Sequence, residues 1–101
     1  EGSTLLLAEG LVVFRVPMPA RLAGREIRST DIPATTGCSI IAIMSGDDCI
    51  TELSPDRRLP VAADLVLIGD DGAEQRFYDR YVNGEALSPL RRVLAWFDGR
   101  R

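Results

Sequence analysis

Arg25 to Pro55 reads REIRSTDIPATTGCSIIAIMSGDDCITELSP, and the interpretation of this stretch decides the fold. It divides into one short capped helix that feeds directly into a β-hairpin. The helix is expected over Asp31 to Thr36, with Ser29 or Thr30 as its cap. A short hydroxyl side chain satisfies the free amide donors of a first helical turn. Pro33 falls within that turn, where its missing N–H costs little. Gly37 is expected to stop the helix by taking the left-handed conformation that a Cβ resists. Cys38 to Met44 is a near-continuous apolar run rich in β-branched residues, which predicts a strand buried on both faces or nearly so. Ser45-Gly46-Asp47-Asp48 has turn composition, and Cys49 to Leu53 is expected to return as the second strand.

Outward from this unit, Leu11 to Pro17 (LVVFRVP) reads as a first strand ended by Pro17-Met18-Pro19. Gly24 supplies a turn in the tight connection Leu22 to Arg25. Asp64 to Ile68 (DLVLI) is a short, strongly β-forming strand. Asp71-Gly72-Ala73-Glu74 has the spacing of a capping box. The helix it opens carries Ala73, Phe77 and Tyr81 on one stripe, with Tyr78 and Val82 beside it, a face suited to packing on a sheet. Asn83-Gly84 ends that helix. A last helix is expected from Ser88, with Pro89 at its first position and Leu90, Val93, Leu94 and Phe97 at helical spacing. Its apolar face needs a partner surface. The order strand, short helix, hairpin, strand, helix predicts an α+β domain: a small, mostly antiparallel sheet with two helices toward one face and a C-terminal amphipathic helix. Short sheets leave edges, which small domains often close by dimerisation.

At 101 residues the chain is one domain with a modest core. No apolar run approaches the roughly 20 residues a membrane span needs. The first ten residues, EGSTLLLAEG, lack an initiator Met and a basic n-region, and read as a linker from an upstream domain. The domain proper is then 11–84, and 85–101 is an extension. The net charge of −3 argues against nucleic acid or an anionic membrane as partner. All 12 basic residues are Arg, which offer planar anion-binding forks. The absence of His removes a His-based triad and most zinc sites. Cys38 and Cys49 lie on the two hairpin arms; with Met44 facing Cys49, Cys38 sits too far down the ladder for a disulfide. Two buried free thiols suit a reducing, cytoplasmic setting.

The strand LVVFRVP, the segment LAGREI, the stretch DIPATTGCSIIAI, Ser54-Pro55, the element AADLVLIG and the helix EQRF stand in an order and spacing that resemble the TrkA-C domain. This is the C-terminal domain of the family of regulators of potassium conductance. The resemblance covers about Leu11 to Val82. It implies a non-catalytic cytoplasmic module of a bacterial, membrane-associated potassium channel, uptake system or cation/proton antiporter. The module would follow a Rossmann-type domain, form a homodimer, bind no nucleic acid, and respond to a small-molecule or ion effector. In some members that effector is cyclic di-AMP and in others a divalent cation. A ligand bridging two subunits favours the state in which both half-sites meet.

Carried over residue by residue, the cyclic di-AMP site falls on Ile27, Arg28, Asp31, Ile32, Pro33, Ser39, Ile40 and Pro55. Binding members pack isoleucines and a proline on the adenines and use an Arg just after the Asp-Ile pair and an Asn in the strand. Pro33 and Ser39 occupy those two positions here, and Arg28 is expected to substitute in part for the missing guanidinium. Other readings stand beside this one. Asp47-Asp48 suits a turn as well as a divalent-cation site. Asp31 serves a helix N-terminus as well as a ligand. Asp70-Asp71 reads as a helix cap before a metal site. The Ile27, Ile32, Ile40 and Ile41 cluster is core unless it lines a pocket. Arg57-Arg58 and Arg91-Arg92 read as solvated faces, and Trp96 and Phe97 as an anchor or as internal packing. No nucleophile-plus-base arrangement and no Gly-rich phosphate loop is legible, so no enzyme is expected. A structural dimerisation module without ligand and the sensor of a DNA-binding regulator are the competing functions.

Overall fold

The computed structural model describes residues 3–8 and 10–83. It holds a five-stranded, fully antiparallel sheet in the order β1-β2-β5-β3-β4. The strands are β1 (Ser3–Ala8), β2 (Leu11–Pro17), β3 (Ser39–Ser45), β4 (Asp48–Ile50) and β5 (Asp64–Gly69). Between β2 and β3 come a 3-10 turn (Ile27–Ser29) and α1 (Ile32–Thr36), and after β5 comes α2 (Asp71–Phe77), which runs on as a π-helical turn (Tyr78–Val82).

The centre of the sheet is β5, paired with β2 on one side and β3 on the other. Alternation along the strands decides which face is covered. Val12, Phe14 and Val16 of β2 and Leu65 and Leu67 of β5 are buried, while the residues between them are not. The buried face meets the stripe Ala73, Phe77 and Tyr81 of the last helical segment. Phe14 and Phe77 meet edge-on with ring centroids 5.7 Å apart, and Tyr81 lies 5.1 Å from Phe77. Leu22, Ile32, Cys38, Ile43 and Leu59 complete the core. No helix among the described residues is long and apolar enough to cross a membrane.

Several expectations are corrected. Residues 1–10 are not simply a linker, since Ser3–Ala8 pairs with β2 as an edge strand, with Leu5 opposite Val13, and Gly10 makes the reversal at φ 75°. Strand β3 is not buried on both faces: only Ala42 and Ile43 are, and Ile41 is 39% exposed. The described helices cover one face alone, and an irregularity between Ile40 and Ala42 turns Ile41 outward. The second hairpin arm is only Asp48–Ile50, because the chain then leaves the sheet toward the Ser54-Pro55 turn. Met44 does face Cys49, and both thiols are free, but Cys49 on the edge strand is exposed rather than buried.

Neither predicted cap is used as expected. Ser29 Oγ and Thr30 Oγ1 each donate backwards, to the carbonyls of Glu26 and Ile27 at 2.8 Å, and so close the 3-10 turn. The residue at the head of α1 is Asp31, left-handed at φ 57° with no side-chain cap bond. For α2 the cap is Asp70, one residue earlier than the expected Asp71, with its Oδ1 accepting from the Ala73 amide at 2.6 Å. Gly37 does end α1 at φ 82°. The C-terminal helix expected from Ser88, with Trp96 and Phe97, lies outside the described residues.

Candidate functional site

The 3-10 turn is pinned from the far side of the chain. Glu26 bridges to Arg58, the Ile27 amide donates to the Arg57 carbonyl, and the Arg28 amide donates to the Pro55 carbonyl, both at 2.9 Å. These bonds bring Pro55 against Arg28 across 27 positions of sequence. The left-handed Asp31 then swings the chain from the turn into α1, and left-handed Gly37 swings it out into β3. Ser39 and Ile40 therefore emerge beside the start of the helix that precedes them.

A cavity of about 490 Å³ lies at this junction, within the size range of small-molecule sites. All eight residues named from the sequence line it: Ile27, Arg28, Asp31, Ile32, Pro33, Ser39, Ile40 and Pro55. Thr30, Ala34 and Leu53 line it too and were missed. Ala34 follows the Asp-Ile-Pro run, and Leu53 directly precedes Ser54-Pro55, so their neighbours were the available signal. The wall is mostly apolar. Ile32 is fully buried and forms its base, while Arg28, Asp31, Pro33, Ser39 and Pro55 are exposed at the rim.

The charged groups at the rim are partly engaged. Arg28 Nε donates to Glu26 Oε1 at 3.1 Å, in an exposed pair that solvent screens. The Asp31 carbonyl accepts from the Thr35 amide at 3.0 Å and the Thr35 hydroxyl at 2.7 Å. Tyr81 Oη donates to the Thr30 carbonyl at 2.9 Å, which ties this wall to the end of the second helical segment. Among the described residues no cluster of His, Cys, Asp or Glu is arranged to hold a metal ion; Asp47 lies in the β3–β4 turn and Asp48 opens β4 opposite Ser45. The Cys38 thiol donates to the Ala73 carbonyl at 3.3 Å, and burial pushes its pKa up despite the Thr36 hydroxyl and the Arg76 charge. A thiol held neutral in this way is a packing group, not a nucleophile.

The model of the TrkA-C domain family matches residues 11–81. The chain belongs to the TrkA-C family. Two solved structures of regulator-of-potassium-conductance (RCK) domains share more than the fold. The RCK domain of GsuK is 39% identical, with a TM-score of 0.63 over 71% of this chain and 16% of that one. The chain thus spans about a sixth of the GsuK chain it matches. The RCK C domain of the potassium transport protein KtrA, solved in complex with cyclic di-AMP, is 31% identical. That match has a TM-score of 0.61 and covers 66% of this chain and 79% of the KtrA chain. No curated protein sequence matches the chain.

BusR of S. agalactiae shares the TrkA-C fold at 20% identity. Its RCK C domain dimer, solved with cyclic di-AMP, matches with a TM-score of 0.61 over 73% of this chain and 93% of that one. BusR in complex with promoter DNA matches with a TM-score of 0.58 over 68% of this chain and 34% of that one. This complex overturns the expectation of no nucleic-acid partner. A net charge of −3 on one domain does not report on what an assembly containing that fold binds.

Proposed function

We propose that this TrkA-C domain is a non-catalytic, cytoplasmic ligand-sensing and dimerisation module of a bacterial potassium channel or cation transporter. Residues 11–84 are its regulatory unit and 85–101 an extension. The observation that carries the reading is the convergence of eight residues, drawn from 29 positions of sequence, on one apolar cavity beside Asp31. The ligand it suits best is a cyclic dinucleotide. The apolar wall formed by Ile27, Ile40 and Pro55 offers stacking surface to a base, and the rim supplies polar contacts. The complex of KtrA with cyclic di-AMP supports that class of ligand.

Pro33 stands where binding members carry an arginine, so the guanidinium for the phosphate must come from elsewhere. Arg28 is placed for it: its contact with Glu26 is exposed, and a phosphate offers a stronger, charge-assisted acceptor. A ligand held between two such cavities favours the dimer in which they face each other, by its differential affinity for the two states. Calorimetric titration with cyclic di-AMP tests this. The expected result is one ligand per two chains, with binding weakened about tenfold or more in Arg28→Ala. No heat at millimolar ligand, or equal affinity in Arg28→Ala, contradicts it.

A second reading, the sensor of a DNA-binding regulator, is favoured by one observation: the BusR chain with this fold was solved on promoter DNA. The cavity would take the same ligand in that setting. The two readings part on whether the whole protein carries pore helices or a DNA-binding segment.

A further inference from the structure

Behind the Thr30–Asp31 wall lies a second cavity of a different character. It is smaller, about 180 Å³, and is lined by Arg21, Arg25, Thr30, Asp31, Arg80 and Tyr81. Three guanidinium groups thus face one polar space whose single acidic lining residue is Asp31. Like charges gathered in one cavity repel, and an anion between them removes that cost.

Two of the three forks are held in place by neutral partners. Arg25 donates through Nε and Nη2 to the hydroxyl and the carbonyl of Ser29. Arg80 donates through Nε to Tyr81 Oη at 3.3 Å and lies over the Tyr81 ring, 5.6 Å from its centre. Arg21 Nη1 donates to the Arg80 carbonyl at 2.9 Å, which draws its guanidinium to the same end of the molecule. The ion pairs among the described residues engage Arg15, Arg28, Arg58 and Arg76, and neither Arg25 nor Arg80. Their Nη donors are therefore oriented but not spent on carboxylates, which is the preorganisation that oxyanion recognition uses. The volume falls below the range of about 300 Å³ and more usual for drug-sized ligands, and suits a small anion.

We propose that this arginine-lined cavity binds a small phosphate-type oxyanion, either the free ion or the phosphate of a monoester. It is separate from the cavity of the proposed ligand site and shares with it only Thr30 and Asp31. Failure of one therefore leaves the other standing.

The test follows backbone amide shifts of the intact chain during parallel titrations with inorganic phosphate and glycerol 3-phosphate, sodium chloride holding ionic strength constant. Saturable shifts at Arg25, Thr30, Arg80 and Tyr81 are expected. Saturation by both compounds supports a site that reads a phosphate group, and saturation by inorganic phosphate alone supports a free-ion site. Arg25→Gln and Arg80→Gln should each weaken binding about tenfold, as loss of one charge-assisted contact implies. Arg15→Gln, which removes the same charge from the far side of the sheet, should leave it unchanged. Absence of saturation with both compounds, or an equal loss in Arg15→Gln, overturns the proposal.

Discussion

Gly69 closes β5 where the sheet meets the head of α2, and a Cβ there would lie 2.9 Å from the Ala73 Cβ and 3.3 Å from the Cys38 sulfur. Its backbone is ordinary, so the constraint is space. Gly69→Ala should destabilise the fold by about 1–3 kcal/mol, as overpacking of a filled core does, measured by urea unfolding. The neighbouring Cys38 gives a second expectation. A thiol-specific reagent should label exposed Cys49 quickly and buried Cys38 only at the rate of unfolding. Because burial raises the folded-state pKa of Cys38 above its ordinary 9.0, the neutral thiol favours folding below that value. As pH climbs past it the unfolded chain loses the proton first, so stability falls. Urea unfolding between pH 8 and 10 should show that fall reduced in Cys38→Ala. At this scale the sequence was a partial guide. Gly37 could be read as a helix stop because only a positive φ explains it there. The left-handed Asp31 could not, because nothing in its side chain distinguishes that backbone from an ordinary cap.

Among the elements, α2 was legible as an amphipathic stripe. Ala73, Phe77 and Tyr81 repeat at helical spacing and are all buried. Its start was displaced by one residue, because Asp70 and Asp71 are both good caps and only the tertiary position of the β5 end chooses between them. Asp70→Ala should therefore cost about 1 kcal/mol in thermal or urea unfolding, whereas Asp71→Ala, outside the cap bond, should cost less. Strand β3 shows the opposite limitation. An unbroken apolar run reads as burial on both faces, yet covering both requires helices on both sides, which the described part of this chain does not have. Strand β1 was hidden for a related reason. A short apolar run at a terminus has no alternation to mark it, and it becomes a strand only through pairing with β2.

For the whole molecule, the candidate site is made by topology more than by any one motif. Two left-handed residues, a 3-10 turn pinned to Pro55, and the first two residues of β3 enclose the cavity. Composition and periodicity alone would have assigned its isoleucines to the core, as they do Ile32. Only the resemblance to the TrkA-C family, carried by the order of short segments along the chain, named them together as a site. Thr30, Ala34 and Leu53 escaped because they are small or ordinary residues whose role is visible only once the wall is closed. The two cavities that share Thr30 and Asp31 differ in chemistry: one has a mostly apolar wall and the other is lined by three arginines.

The central claim, that the cavity beside Asp31 is the sensing site, is tested most directly by mapping cyclic di-AMP onto the amide spectrum of the chain. The predicted result is saturable shifts at Arg28, Asp31, Ser39 and Ile40, with Gly46 and the β1 amides unmoved. Shifts confined to other surfaces, or none at millimolar ligand, would contradict it.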